Sequence, residues 1–467
     1  MSEIIRLFNI TIHSKNFWKA VVTFIIAYLV YLFLPVPESF EFAEASRRTA
    51  FVFVIAGMFW ALEIIPLYAT SLVSVVLLIL LLTRPGNPLL EIEGGYKAFL
   101  LPFASPVIML FFGGFILAAA LHKYNIDSKI AKRLLRVFGQ NPLAIMMGFM
   151  LTTAFLSMWM SNTATTAMML IMIMPLLGQL KKGDPFKKAL VLAIPFGANI
   201  GGVGTPVGTP PNAIAIGILT ENGIKIDFLT WMMMAVPLTI IMLIIVCAIL
   251  YFMFKPQSKT INLELPPVKP MGWRARGVVI ISLFTIALWL TAGIHKIPEA
   301  LVALIGAGLF FALGLLDKED IKHIDWDVLV LMWGGLALGQ AMEASKLTEW
   351  IVSFPIFNNG EMLLGIFCIL AMILSTFMSN TAAANLLIPI AISIPGENPI
   401  YLALAVALSC SFAMALPIST PPNAMAFSTN VIESKDMLKA GTISSLIAVV
   451  FVILGAKFII KFVFGLG

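Results

Sequence analysis

Charge is scarce in this chain. Of 467 residues, 12% are Asp, Glu, Lys or Arg, while 60% are hydrophobic. A water-soluble domain carries roughly a quarter of its residues as charges. This chain has too little polar side chain to cover itself in water, which excludes a large soluble globule. Cysteine is scarce too. Cys247, Cys368 and Cys410 sit inside apolar segments without metal-ligand spacing, and they read as small core residues. Four histidines, His13, His122, His295 and His323, are scattered near segment ends. There is no H-E-x-x-H pattern and no acid–base pair within the apolar runs, so an intramembrane enzyme finds no support. Glu63 is the main acidic residue placed well within an apolar run. Without an intramembrane Lys or Arg cluster, a proton relay or an arginine-clamped anion site is disfavoured.

The formal net charge is +6. The basic residues fall mostly in short loops between apolar runs, where they set membrane topology rather than form a nucleic-acid-binding face. No small-residue cleavage site follows the first apolar run, so it reads as a span and not as a cleaved signal.

Long apolar runs are what the chain does have. Several reach the roughly 20 residues that a helix needs to cross a bilayer. Residues 1–48 hold an N-terminal segment and a first span, Trp18–Leu34. Residues 49–254 form a first repeat and 278–467 a second, with a cytoplasmic linker at 255–277. In the first repeat, Thr49–Ile65 and Leu67–Leu82 are divided at Pro66, and Pro106–Leu121 follows. The stretch Asp127–Phe138 differs in kind. Ile126, Ile130, Leu134 and Val137 share one helical face while Lys129, Lys132, Arg133 and Arg136 occupy others, as in a helix lying on a membrane surface.

Two stretches are too long for one span and carry polar triplets in their middles. These are 142–180, with Ser161-Asn162-Thr163, and 361–394, with Ser379-Asn380-Thr381. Each reads as a re-entrant hairpin. Two more, 189–219 and 400–429, are broken by proline-rich segments. The expected fold is an all-α polytopic membrane protein of about eleven transmembrane helices plus two re-entrant hairpins. With the N-terminus inside and the C-terminus outside, 21 of the 30 basic residues fall on the cytoplasmic side and 9 outside. Among the nine, Lys457 and Lys461 are placed to snorkel to the outer interface.

The halves repeat each other. Leu156–Ala164 matches Leu374–Ala382, and Thr209-Pro210-Pro211-Asn212-Ala213 matches Thr420-Pro421-Pro422-Asn423-Ala424. Gly113-Gly114 and Gly334-Gly335 precede each triplet at a similar distance. Three landmarks in the same order mark an internal duplication. Five spans per repeat is an odd number, so the copies lie inverted in the membrane. Inverted repeats with interrupted helices are the architecture of secondary transporters.

The broken helices carry the chemistry. Polar, proline-containing backbone at membrane depth is tolerated where it faces protein or a wet cavity. Carbonyls before each break are expected to lose their partners and become cation ligands. The N–H groups opening each new half-helix are expected to suit a carboxylate. Ser and Asn side chains at the hairpin tips add neutral oxygens and donors. Two half-sites facing each other match a substrate with two carboxylates. Two unlike half-sites in one chain favour a carrier over a channel, which lines its pore with oligomeric rings.

The paired Ser-Asn-Thr motifs, each followed by a Thr-Pro-Pro-Asn break, resemble those of the divalent anion/sodium symporter family, and the resemblance covers essentially the whole chain. It implies a homodimer in the cell inner membrane, hairpins that open to opposite sides, and a transport domain moving as an elevator against a scaffold. It places a first sodium ion at Ser157, Ser161, Asn162 and Gly208, and a second at Ser375, Ser379, Asn380 and Ser419. Substrate carboxylates would meet Ser161, Asn162, Thr163, Ser379, Asn380 and Thr381, with Thr209 and Thr420 nearby. The implied activity is sodium-coupled import of C4-dicarboxylates such as succinate, malate and fumarate. The alternatives within the same fold are a dicarboxylate or tricarboxylate exchanger and a sulfate carrier.

Overall fold

A computed structural model describes residues 14–37, 40, 42–261, 270–358, 360–395 and 397–464. Among these the secondary structure is entirely helical. The first helices are α1 (Ser14–Phe33), α2 (Ala43–Leu62), α3 (Leu67–Leu82) and α4 (Pro106–Lys123), followed by the short α5 (Ile126–Leu135). Then come α6 (Pro142–Ser157), α7 (Asn162–Gln179), α8 (Phe186–Gly202), α9 (Pro210–Glu221) and α10 (Phe228–Met253). The second half comprises α11 (Trp273–Leu290), α12 (Glu299–Ala312), α13 (Trp326–Ala344), α14 (Leu347–Val352), α15 (Gly360–Phe377), α16 (Asn380–Ala391), α17 (Pro399–Ser411), α18 (Pro421–Ser428) and α19 (Ser434–Phe464). Among the described residues, six helices are individually long and apolar enough to cross a membrane: α1, α2, α4, α10, α11 and α19. Among the described residues, the shorter apolar helices include α3, α6, α12, α16 and α17.

Local sequence sets the helix starts. Ser105, Asn141 and Asn398 each accept a hydrogen bond from the first turn that follows, and each is followed by proline at the first helical position. A proline there has no N–H to leave unpaired and has its φ preset for the helix. The exposed Phe17, Trp18, Ile25 and Phe33 of α1 face outward, as expected of a lipid-facing helix.

The repeat is visible in the order of elements, since α4 to α10 recurs as α13 to α19. It is inverted. Lys123, at the C-terminal end of α4, pairs with Asp320 at 2.6 Å and Asp317 at 3.1 Å, just before the N-terminus of the mate helix α13. The duplicated glycines have a packing cause. A Cβ on Gly113 would lie 2.7 Å from Ala303 O in α12, and one on Gly334 would lie 2.7 Å from Ser71 Cα in α3. Mate helices therefore cross their partners at the same close distance. The second glycines, Gly114 and Gly335, face Val207 and Asn385 of the hairpin-bearing part.

Several sequence expectations are corrected. Helix α2 starts at Ala43, six residues before the expected Thr49. Glu63 is not within a span: it is exposed, in the left-handed conformation that ends α2. In the surface helix α5 the buried residues are Ile126, Asp127, Ala131 and Leu135, while Val137 is 80% exposed. The chain tightens to a 3-10 turn at Arg136, which rotates Val137 off the apolar stripe. Asp127 is buried against the His122 ring at 2.8 Å. The short helices Lys318–Lys322 and α14 were not anticipated, because both are too brief to show a period. Arg6, His13, residues 262–269 of the 255–277 linker, and the Lys457 and Lys461 side chains lie outside the described residues.

Candidate functional site

Each hairpin turns at its triplet. Helix α6 ends at Ser157 and α7 begins at Asn162, and the Ser161 hydroxyl accepts the Ala164 N–H at 3.3 Å. In the second copy α15 ends at Phe377, α16 begins at Asn380, and Ser379 accepts the Ala382 N–H at 3.1 Å. The serines are thus N-caps whose side chains stop the first turn from fraying. Four first-turn N–H groups, those of Asn162, Thr163, Asn380 and Thr381, have no carbonyl within their own helix to bond.

Behind each tip lies an oxygen cluster that is short of protons. The Ser157 hydroxyl faces both Asn162 Oδ1 and Ala198 O, the latter at 2.9 Å. Its mate Ser375 faces Asn380 Oδ1 at 2.6 Å and Cys410 O at 2.7 Å. A hydroxyl carries one proton and here meets two acceptors. Each serine proton is shared between two acceptors, and the three neutral oxygens form a donor set that a small hard cation can complete.

The proline breaks behave differently from the sequence expectation. Helix α8 ends at Gly202, α9 opens at Pro210, and the intervening carbonyls are not left bare. The Asn212 side-chain amide lies 3.1 Å from Gly202 O, 3.1 Å from Val203 O and 2.7 Å from Thr205 O. Trp231 Nε1 also donates to Val203 O at 3.1 Å. Asn423 repeats the arrangement on Met414 O at 3.2 Å and Leu416 O at 3.0 Å. The asparagine of each Thr-Pro-Pro-Asn is therefore a collector of broken-helix carbonyls. The half-helix N-termini are corrected as well. Prolines at their first two positions delete two of the donors assigned to a carboxylate, and Asn212 N–H is used by Thr209 O. Free backbone donors belong to the hairpin tips instead.

Close backbone approach accounts for glycine at the first break. A Cβ on Gly202 would lie 3.0 Å from Gly208 O and would also strike Asn162 Oδ1. Ser419 stands in the second break at the position that matches Gly208. Its hydroxyl donates to Thr376 O and accepts the Leu416 N–H, both at 3.1 Å, so it staples the loop.

Tips and breaks meet in one cavity of about 650 Å³. Ser161, Asn162, Thr163, Gly208 and Thr209 line it from the first repeat, and Ser379, Asn380, Thr381, Ser419 and Thr420 from the second. Ser157 and Ser375 are fully buried behind this wall. The halves are not equivalent, since Thr163 is exposed to the cavity while Thr381 is 7% exposed. A second cavity of about 330 Å³ shares Phe115, Ser161, Ala164 and Asp325 with the first and continues to Lys123 and His323. The site therefore opens toward the end of the molecule where Lys123 meets Asp317 and Asp320.

Asn199, Asp325 and Asp327 are among the lining residues that escaped the sequence reading. Asn199 lies in the last turn of α8, outside either motif. Asp325 sits in the loop before α13, and burial, followed by the neighbouring Asp327 charge, holds its carboxyl above the usual range.

The chain matches known proteins along its length. The family described as the sodium:sulfate symporter transmembrane region matches residues 14–465. The sodium-dependent dicarboxylate transporter SdcS of Staphylococcus saprophyticus is 31% identical over 472 residues, covering 91% of this chain and 89% of that protein. An uncharacterized transporter of Haemophilus influenzae is 36% identical over 398 residues, covering 78% of this chain and 84% of that protein. The crystal structure of the Alcanivorax borkumensis YdaH transporter, described as having an unusual topology, superposes with a TM-score of 0.55 at 14% identity. It covers 88% of this chain and 99% of that one, a likeness of fold.

Proposed function

Because this chain belongs to the sodium:sulfate symporter transmembrane family, whose members are transporters and not enzymes, we propose that it imports C4-dicarboxylates together with sodium. The observation that carries the reading is the pairing of two oxygen clusters, each around one serine hydroxyl, with four first-turn N–H groups that have no carbonyl in their own helix, around one cavity. Cations and a dianion neutralise each other when bound side by side, which suits a cavity whose lining, among the described residues, holds no Lys or Arg.

In this reading the first sodium ion meets Ser157, Ser161, Asn162 and Gly208, and the second meets Ser375, Ser379, Asn380 and Ser419. Ser419 contributes its backbone, because its hydroxyl is already engaged. One substrate carboxylate meets Ser161, Asn162 and Thr163 with Thr209 nearby. The other meets Ser379, Asn380 and Thr381 with Thr420. The hairpin-bearing part, α6 to α10 and α15 to α19, carries the loaded site across the membrane as an elevator against α1 to α4 and α11 to α13. Two copies form the working dimer, with N-termini in the cytoplasm and C-termini outside.

Uptake of labelled succinate into liposomes, with sodium and with choline in its place, tests the proposal. Steep dependence on sodium is the expected result. Equal uptake in choline that requires internal substrate would make the protein an exchanger. Sulfate, after which the family is named, is the second reading, and competition by excess sulfate against succinate separates the two.

A further inference from the structure

One buried side chain joins the two half-sites directly. Asn199, on α8 of the first repeat, is 1% exposed. Its Nδ2 donates to Thr420 Oγ1 at 3.3 Å and to Asn423 Oδ1 at 3.2 Å, both on the second repeat. The orientation of its amide is fixed by its neighbour. Asn423 spends its own Nδ2 on Met414 O and Leu416 O, so its Oδ1 is the atom that faces Asn199 and requires a donor there. Asn199 Oδ1 is buried without a hydrogen-bond partner among the described residues. Leaving an acceptor unpaired costs stability. Packing alone gives no return for that cost.

The consequence falls on Thr420. Its hydroxyl oxygen accepts both the Asn423 N–H, at 3.3 Å, and the Asn199 amide. A hydroxyl has two acceptor lone pairs and one proton. With both lone pairs engaged, Thr420 can act only as a donor, and it lines the cavity. The mate residue Thr209 has no such constraint, for its side chain takes no capping bond. We propose that Asn199 is a positioning residue that turns Thr420 into an obligate hydrogen-bond donor toward one carboxylate of the substrate, so that the second half-site selects an anionic group. This inference rests on the dianion-carrier reading above and assigns within it a residue that belongs to neither motif.

The test is a set of double-mutant cycles on the purified full-length protein in detergent with saturating sodium. Apparent affinities come from thermal stabilisation by succinate and, separately, by sulfate. Asn199→Asp keeps the shape but replaces the donor by an acceptor, which the Thr420 hydroxyl then turns to meet. It should weaken binding about tenfold, as should Thr420→Val. Combining the two should be no worse than Thr420→Val alone, because Asn199 acts through Thr420. Combining Asn199→Asp with Thr209→Val should instead multiply the losses. A purely structural role would give the same pattern with both threonines. Wild-type affinity in Asn199→Asp, or losses that multiply with Thr420→Val, would overturn the proposal. If Asn199→Asp does not fold, Asn199→Ser, smaller and uncharged, enters the same cycles. If sulfate stabilises the wild type and succinate does not, the dicarboxylate reading falls while the cycles are read on sulfate. Stabilisation by neither anion removes both.

Discussion

The Asn212 side-chain amide donates to Thr205 O at 2.7 Å across the gap between α8 and α9. It reaches Gly202 O and Val203 O from the same position, and Asn423 does the same work in the second repeat. A helix that stops at membrane depth must find partners for its last carbonyls. Here a side chain just past the break provides them.

Asn212→Ala or Asn423→Ala should therefore reduce stability before it affects transport. Each carbonyl left without a partner costs about 1–3 kcal/mol. Thr209→Ala should be milder, since its hydroxyl caps nothing. Melting temperatures of the purified variants in detergent check this ranking.

Asn162 and Asn380 should behave differently. Each turns Oδ1 toward a buried serine hydroxyl and opens a helix, where its N–H has no carbonyl of that helix to bond. Replacement by Ala should lower sodium and succinate affinity together, each by about tenfold or more. Linkage requires the two losses to accompany each other. Met160→Leu and Met378→Leu, volume-conserving changes beside the triplets, should be mild. Succinate uptake titrated with sodium is the measurement. Unchanged sodium dependence in both Ala variants that reach the membrane would refute the site assignment.

The inverted repeat makes a prediction about sidedness. Lys182 and Ser353 are both exposed and adjoin the first and second hairpins. Single cysteines at these positions should react with an impermeant thiol reagent from opposite sides of the membrane. Cys247, Cys368 and Cys410 are buried, so background labelling should be low. Labelling of both new cysteines from one side would contradict the inversion.

Asp325 should oppose the substrate. It lines the cavity next to Asp327, so a bound dianion meets like charge there. Asp325→Asn should tighten succinate binding a few-fold, by the relief of like-charge repulsion. Because its pKa is raised, wild-type Asp325 takes up a proton at a higher pH than a free aspartate. Acidification should thus discharge it in the wild type and shrink the difference between the two proteins. Paired binding curves at neutral and mildly acidic pH test the sign.

The division of labour between sequence and fold follows from the range of each interaction. Ser161 and Ser379 cap helices three residues away, and the double prolines break a helix where they stand. Such effects are local, so the chain order of residues displays them, and duplication doubles the signal. The glycine pairs are legible as landmarks for the same reason, although their cause is not, because Gly113 meets Ala303 and Gly334 meets Ser71 far along the chain. The sequence thus determined a membrane carrier with an inverted repeat, two hairpins and two broken helices. It misassigned the carbonyls at the breaks, because whether a carbonyl is free depends on where the Asn212 and Asn423 amides point. It placed Glu63 in a span, because hydropathy does not register the left-handed turn that ends α2. Asn199 lay hidden in an apolar helix, and its role exists only where α8 packs against α18, 221 residues away from Thr420 in sequence. Hydrogen-bond direction across such distances is fixed by three-dimensional proximity, and the tertiary structure alone supplies it.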